Sequence, residues 1–232
     1  MPRYAKKGKA FEKKSKKIAE FQNFFRFSEN ICMKRIKKLI FAVLTGAALM
    51  TLYSCRTVPV EIPEEKPELS RRLLDKGQLN AKQLADFFLE NNPAEDRAHI
   101  TRLAQYYIDE AGSEGINSDV AFAQMCLETG YLRFGGLVQP EFHNYCGLGA
   151  MDAEHPGEIF ETEELGVRAH IQHLQAYATT EDVKLNKELV DPRYNWVHKT
   201  KYVEDIFGLA GNWATDPNYG QKIDSILERM SN

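Results

Sequence analysis

The segment Asp119–Leu127 (DVAFAQMCL) constrains this chain more than any other stretch. It is apolar on nearly every side. A helix of that kind has no face to offer water, so it predicts a buried central helix around which the rest must pack. Asn117 or Ser118 stands in front of it as a cap, and Thr129-Gly130 closes it.

The neighbouring segments read as helices with one wet face. Asn80 can cap a helix carrying Leu84, Phe87, Phe88 and Leu89, stopped by Asn91-Asn92-Pro93. From about Ala94 or Asp96 to Gly112 or Gly115, Ile100, Leu103, Ala104, Tyr107 and Ile108 recur at i, i+3, i+4 spacing. Residues 130–160 change character, with six glycines among aromatics and prolines, and predict loops and at most a short hairpin. Helix returns over Thr162–Thr179, with Val167, Ile171, Leu174 and Ala178 on one face. A loop holds Asp191-Pro192-Arg193-Tyr194, and a last helix starts at Asp216-Pro217 with Tyr219, Ile223, Ile226 and Leu227. The fold class is mainly α, with a short irregular or β-hairpin segment.

The formal net charge of −3 averages unlike pieces. Residues 1–38 hold 13 Lys/Arg and 3 Asp/Glu, residues 39–55 hold neither, and residues 56–232 hold 17 and 30. The apolar run Leu39–Leu52, 14 residues behind Met33-Lys34-Arg35-Ile36-Lys37-Lys38, is too short for a spanning helix and suits a signal h-region. Leu52-Tyr53-Ser54-Cys55 resembles a bacterial lipobox, which makes Cys55 the lipidation site and new N-terminus. Met33 then reads as the natural start, residues 33–55 as the signal peptide, and residues 1–32 as a basic upstream extension. Residues 56–70, with three prolines and four glutamates in Thr57–Ser70, have linker composition. The domain occupies 71–232, its folded part running from about Leu69. The expected location is the cell envelope, lipid-anchored and periplasmic or outer-membrane associated. The acidic domain reads as soluble and argues against nucleic acid. A monomer is expected.

Glu128 is the carboxyl whose setting is unusual. It sits in the last turn of the apolar helix, where desolvation and the negative end of the helix dipole both disfavour its charged form. A carboxylic acid kept protonated near neutral pH is what general acid catalysis needs.

The run Ala121-Phe122-Ala123-Gln124-Met125-Cys126-Leu127-Glu128-Thr129-Gly130-Tyr131 resembles the A-x-A-Q-x-x-L-E-[ST]-G-[WY] segment of the glucosaminidase domains in glycoside hydrolase family 73. Asn144–Gly149 (NYCGLG) is similar to that family's N-x-F-G-[IL]-K segment. Gly166–Tyr177 stands where the family has its post-hairpin helix, and Trp213–Ile223 (WATDPNYGQKI) matches its late [YW]-A-T-D-P-x-Y-x-x-K-I. The resemblance covers roughly residues 80–230. It implies a lysozyme-like helical fold and hydrolysis of the β-1,4 bond after N-acetylglucosamine in peptidoglycan, with Glu128 as the catalytic acid. It implies an active-site role for Tyr219. Asn144 could hydrogen-bond an acetamido group, and Tyr131, Phe134, Phe142, Tyr145 and Trp213 can offer faces to sugar rings or pack in the core.

The chain departs from the family in two places. Where the family carries a hairpin with a second acid, only Ala150–Phe160 stands here. Glu154 is favoured for that role over Asp152, with Glu158 and Glu161 also available. Cys146 replaces an aromatic, and Cys126 and Cys146 either pair or are separately buried thiols. His170 and His173 share a helix face, but no HExxH pattern or Cys/His cluster accompanies them, so neither metal nor cofactor is expected. Three rival readings follow from these departures: a lytic transglycosylase, a catalytically silent glycan-binding lipoprotein, or a hydrolase of host chitin-like oligomers.

Overall fold

Asn80 opens the first helix, α1 (Ala81–Asn91), through a capping box: its side chain accepts from the Gln83 amide while the Gln83 side chain accepts from its own, both at 3.0 Å. This is a computed structural model, and it describes residues 68–180 and 182–231. The basic extension, signal peptide and Cys55 lipidation expected from the sequence, and residues 56–67 of the expected linker, lie outside the described residues.

Asp96 caps α2 (Arg97–Glu114), which ends at Gly115 in the left-handed region, φ 73°. Asn117 caps the central helix α3 (Ser118–Thr129) with its side-chain oxygen. The same side chain donates its amide to the carbonyls of Ser70 and Arg72, tying the incoming chain to the start of α3. Leu69 and Leu73 are buried in the core, so the fold reaches back to the end of the proline-rich stretch.

The apolar pattern of α3 has the consequence the sequence demands. Every residue from Ser118 to Cys126 is buried. Phe122 takes edge-on contacts from Phe88 of α1 and Tyr107 of α2, with ring centroids 6.3 and 5.7 Å away. Helix α4 (Glu163–Ala178), capped by Thr162, packs on α2, and α6 (Tyr219–Met230) lies along α3 with Ile223, Ile226 and Leu227 inward.

Two features differ from the expectation. Helix α4 is buried on more than the Val167–Ala178 face, because the segment after it folds back over its polar side. Gln172 accepts from the Val190 and Asp191 amides and donates to the Glu188 carbonyl, and Glu114 accepts from the Asn186 and Lys187 amides, so side chains supply the partners of a loop without ladder bonds. That loop leads into a helix absent from the sequence reading, α5 (Tyr194–Thr200).

Residues 130–162 form an irregular loop. Among the described residues the only β pairing is three isolated bridges, none of them in this segment. The loop doubles back through two backbone bonds, Glu158 to Leu148 and Phe160 to Phe142. A 3-10 turn at Pro140–Phe142 lies on its way. No helix among the described residues is long and apolar enough to cross a membrane.

Candidate active site

Glu128 stands where α3 ends and the chain turns sharply away. Gly130, Tyr131 and Leu132 all take left-handed φ near 58°, a region costly for the two non-glycines. Thr129 holds that turn. Its hydroxyl accepts from the Leu132 amide and its carbonyl accepts from that of Phe134. The abrupt exit leaves the Glu128 carboxyl at the helix tip, open to solvent on one side.

On the protein side one carboxyl oxygen receives two donors. Trp213 Nε1 donates to Glu128 Oε1 at 3.0 Å, and the Tyr219 hydroxyl donates to the same oxygen in a short bond. Among the described residues no protein group meets Oε2. Protein bulk displaces water from the carboxyl and lifts its pKa above the ordinary glutamate range, although the side chain keeps a solvent-facing edge. The bonds from Tyr219 and then Trp213 pull the other way without cancelling the effect. The Tyr219 hydroxyl is itself pushed far up, first by burial and then by the Glu128 charge, so it remains a donor.

Behind this pair runs a buried hydrogen-bond chain. Gln124, one turn earlier on α3, donates Nε2 to the Tyr219 hydroxyl at 2.8 Å. Its Oε1 faces His170 Nε2 at 3.1 Å, and His170 Nδ1 lies 2.9 Å from the Tyr107 hydroxyl. Burial, helped by the neighbouring His173, pushes His170 down to about 3, so the ring is neutral and carries one proton. Nε2 must hold that proton, since it faces a carbonyl oxygen, and Nδ1 accepts from Tyr107. Every bond then points one way, from Tyr107 through His170, Gln124 and Tyr219 to Glu128.

The structure therefore brings Glu128, Tyr219 and Trp213 together. Tyr131, expected at the substrate, has its ring against Phe87 and Phe88 of α1, with centroids 6.2 and 5.7 Å away. Its hydroxyl is buried near Arg229 without closing a hydrogen bond. Asn144 is 1% exposed. Its amide donates to the carbonyls of Leu148 and Glu158, and its oxygen accepts from the amides of Cys146 and Leu148. All its polar atoms are spent holding the loop in shape, which leaves none for an acetamido group. Tyr145 is core, edge-on to Tyr107.

Asp152 and Glu154 are both exposed on the loop, and neither pairs with Glu128. Asp152 caps its own turn, accepting from the Glu154 and His155 amides and facing the His155 ring, which holds it below the usual carboxylate range. Cys126 and Cys146 are free and separately buried. His173 faces Asp191 at 2.7 Å rather than sharing a site with His170. Gln124 and His170 were missed as parts of the acid's setting. Two sequence signals mark Gln124: its position four residues before Glu128 on one helix face, and its match to the Gln of the A-x-A-Q-x-x-L-E segment.

Comparison with known proteins adds to this geometry. A family model described as "Glucosaminidase: Mannosyl-glycoprotein endo-beta-N-acetylglucosaminidase" matches residues 104–232, which contain Glu128, Trp213 and Tyr219. The chain is 39% identical over 195 residues, 83% of its length, to an uncharacterized protein of Borreliella burgdorferi, of which the match spans 94%. No solved structure matches.

Proposed function

The chain belongs to the glucosaminidase family, and from that premise we propose that it hydrolyses the β-1,4 bond after N-acetylglucosamine in peptidoglycan, with Glu128 as general acid. The observation that carries this reading is the Glu128 carboxyl at the solvent-open tip of an apolar helix, its pKa raised by the protein packed around it and one oxygen met by two donors.

With Oε1 occupied by Tyr219 and Trp213, the acidic proton belongs on Oε2. From there it passes to the glycosidic oxygen as the bond to the sugar breaks. The charge left on the carboxylate is stabilised by the same two donors, which strengthen as it forms. They do not need to reorganise, because the Tyr107–His170–Gln124 chain already fixes the Tyr219 hydroxyl.

A second carboxylate would assist the water or the cationic sugar. Glu154 remains our choice over Asp152, because the Asp152 carboxylate is already engaged in its own turn. Among the described residues no carboxylate hydrogen-bonds or ion-pairs with Glu128. The alternative reading is a lytic transglycosylase led by one acid, which would leave anhydromuramic ends instead of reducing ends. We further propose that Cys55 is lipidated and that the acidic domain works as a tethered monomer on glycan strands in the cell envelope.

The test is the Glu128→Gln variant of the full-length protein digesting purified peptidoglycan. Release of muropeptides is abolished with the fold intact. Near-wild-type release overturns the mechanism.

A further inference from the structure

The Tyr219 hydroxyl has one proton and two neighbours able to accept it, the Glu128 carboxyl and the Gln124 side-chain amide 2.8 Å away. Which of them takes it decides where the acid carries its own proton. If Tyr219 donates to Glu128 Oε1, the acidic proton stays on the outer oxygen, Oε2. If Tyr219 donates to Gln124 instead, its oxygen is free to accept, and the acidic proton turns inward onto Oε1. An inward proton cannot reach a glycosidic oxygen.

The choice traces back to a buried tyrosine on α2. Tyr107 is 0% exposed, and His170 Nδ1, 2.9 Å away, is the only hydrogen-bond partner of its hydroxyl among the described residues. A buried donor left unmade is costly, so this proton goes to Nδ1. Burial pushes His170 down to about 3, and the neutral ring holds a single proton. With Nδ1 accepting, that proton is on Nε2, which faces Gln124 at 3.1 Å. The Gln124 amide then turns its oxygen to His170 and its nitrogen to Tyr219. The Tyr219 proton is left for Glu128. The reverse polarity fits the same distances but strands the Tyr107 proton. Around the chain stand Tyr145 and the Cys126 and Cys146 thiols, all pushed up by burial and so uncharged, and His173, which faces Asp191.

We propose that His170, held in one tautomer by Tyr107, is a positioning residue of the acid: it fixes the Gln124 amide so that the Tyr219 proton is delivered to Glu128. The proposal rests on the reading of Glu128 as general acid and adds what orients that acid. His170 also packs against the Trp213 indole, with ring centroids 5.8 Å apart, so loosened packing of Trp213 is the structural effect to be separated from it.

Two measurements on the full-length protein test the proposal. Heteronuclear NMR with isotope-labelled histidine reads the tautomer, and the ring signal missing from His170→Gln identifies His170 among the six histidines. A neutral ring protonated at Nε2 is expected near neutral pH. A ring protonated at Nδ1, or at both nitrogens, overturns the proposal. The second measurement is kinetic. In His170→Leu the Gln124 amide is released and competes for the Tyr219 proton. With peptidoglycan as substrate, kcat falls by roughly tenfold, the low end of losing a charge-assisted bond, and the alkaline limb of kcat/KM moves to higher pH. Adding Gln124→Leu removes the competitor. The double variant His170→Leu/Gln124→Leu regains at least about threefold in kcat over His170→Leu, and its alkaline limb moves back. A double variant no faster than His170→Leu overturns the proposal, since loosened packing around Trp213 predicts further loss. A wild-type kcat and pH profile in His170→Leu overturns it as well. Where His170→Leu does not fold, the tautomer decides. Retained hydrolysis by Glu128→Gln overturns the general acid reading alone, and the tautomer measurement still reports the polarity of the chain.

Discussion

The Tyr219 hydroxyl donates to Glu128 Oε1 across 91 residues of sequence, joining the first residue of α6 to the last turn of α3. The bond favours the ionised carboxyl, while the surrounding protein favours the neutral one. The acid's proton affinity is set by the balance of those two effects.

Tyr219→Phe removes the donor and leaves the desolvation. The Glu128 pKa therefore rises further, and the alkaline limb of the pH profile of kcat/KM, where the acid loses its proton, moves to higher pH. Because the carboxylate formed in the reaction also loses a charge-assisted bond, kcat falls by roughly 10- to 160-fold, from about 1.5–3 kcal/mol. Rate measurements across pH on the full-length variant check both effects. An alkaline limb that stays put or moves down contradicts the assignment.

His170 provides a stability signature. Burial pushes it down to about 3, below the 6.5 of an ordinary histidine, so the unfolded chain takes up this proton first. Stability from the neutral ring is full above 6.5 and is lost as pH falls toward 3, at up to about 1.4 kcal/mol per pH unit. Denaturant unfolding between pH 7 and pH 4 measures it. The wild type loses stability faster on acidification than His170→Gln, which keeps a polar side chain but does not titrate. Parallel curves contradict the account.

Asn144→Ala tests whether that amide shapes the loop. It leaves buried backbone groups at Leu148 and Glu158 without partners, costing roughly 1–3 kcal/mol each before relaxation. A lowered melting temperature without any glycan present is expected. A variant that melts like wild type and only binds glycan more weakly contradicts the structural role.

Much of the fold was legible because local chemistry decides it. The cap at Asn80 and the unbroken apolar surface of α3 follow from sequence patterns, and where the pattern offers two candidates the structure takes Asp96 over Ala94, Gly115 over Gly112 and Asn117 over Ser118. The polar face of α4 was not. The sequence pattern assigns only Val167, Ile171, Leu174 and Ala178 to the buried face; the folded chain shows His170 buried against Gln124 and Tyr107, and Gln172, His173 and Gln175 covered by the returning segment and Tyr194. Helix α5 was missed for a related reason, since it is seven residues long and Tyr194 is anchored by Gln175 of α4. In the site, Glu128 could be found because its anomaly is local. Tyr131 and Trp213 are both aromatics near matching motifs, and sequence does not separate them. The left-handed turn after Thr129 sends Tyr131 toward α1, while the indole of Trp213 reaches the carboxyl.

The most direct measurement is end-group analysis of peptidoglycan digested by the full-length protein, wild type beside Glu128→Gln, with melting curves for both. The account predicts new reducing ends on N-acetylglucosamine from the wild type, none above background from the variant, and closely similar melting. New reducing ends from a folded Glu128→Gln at near the wild-type rate would contradict it.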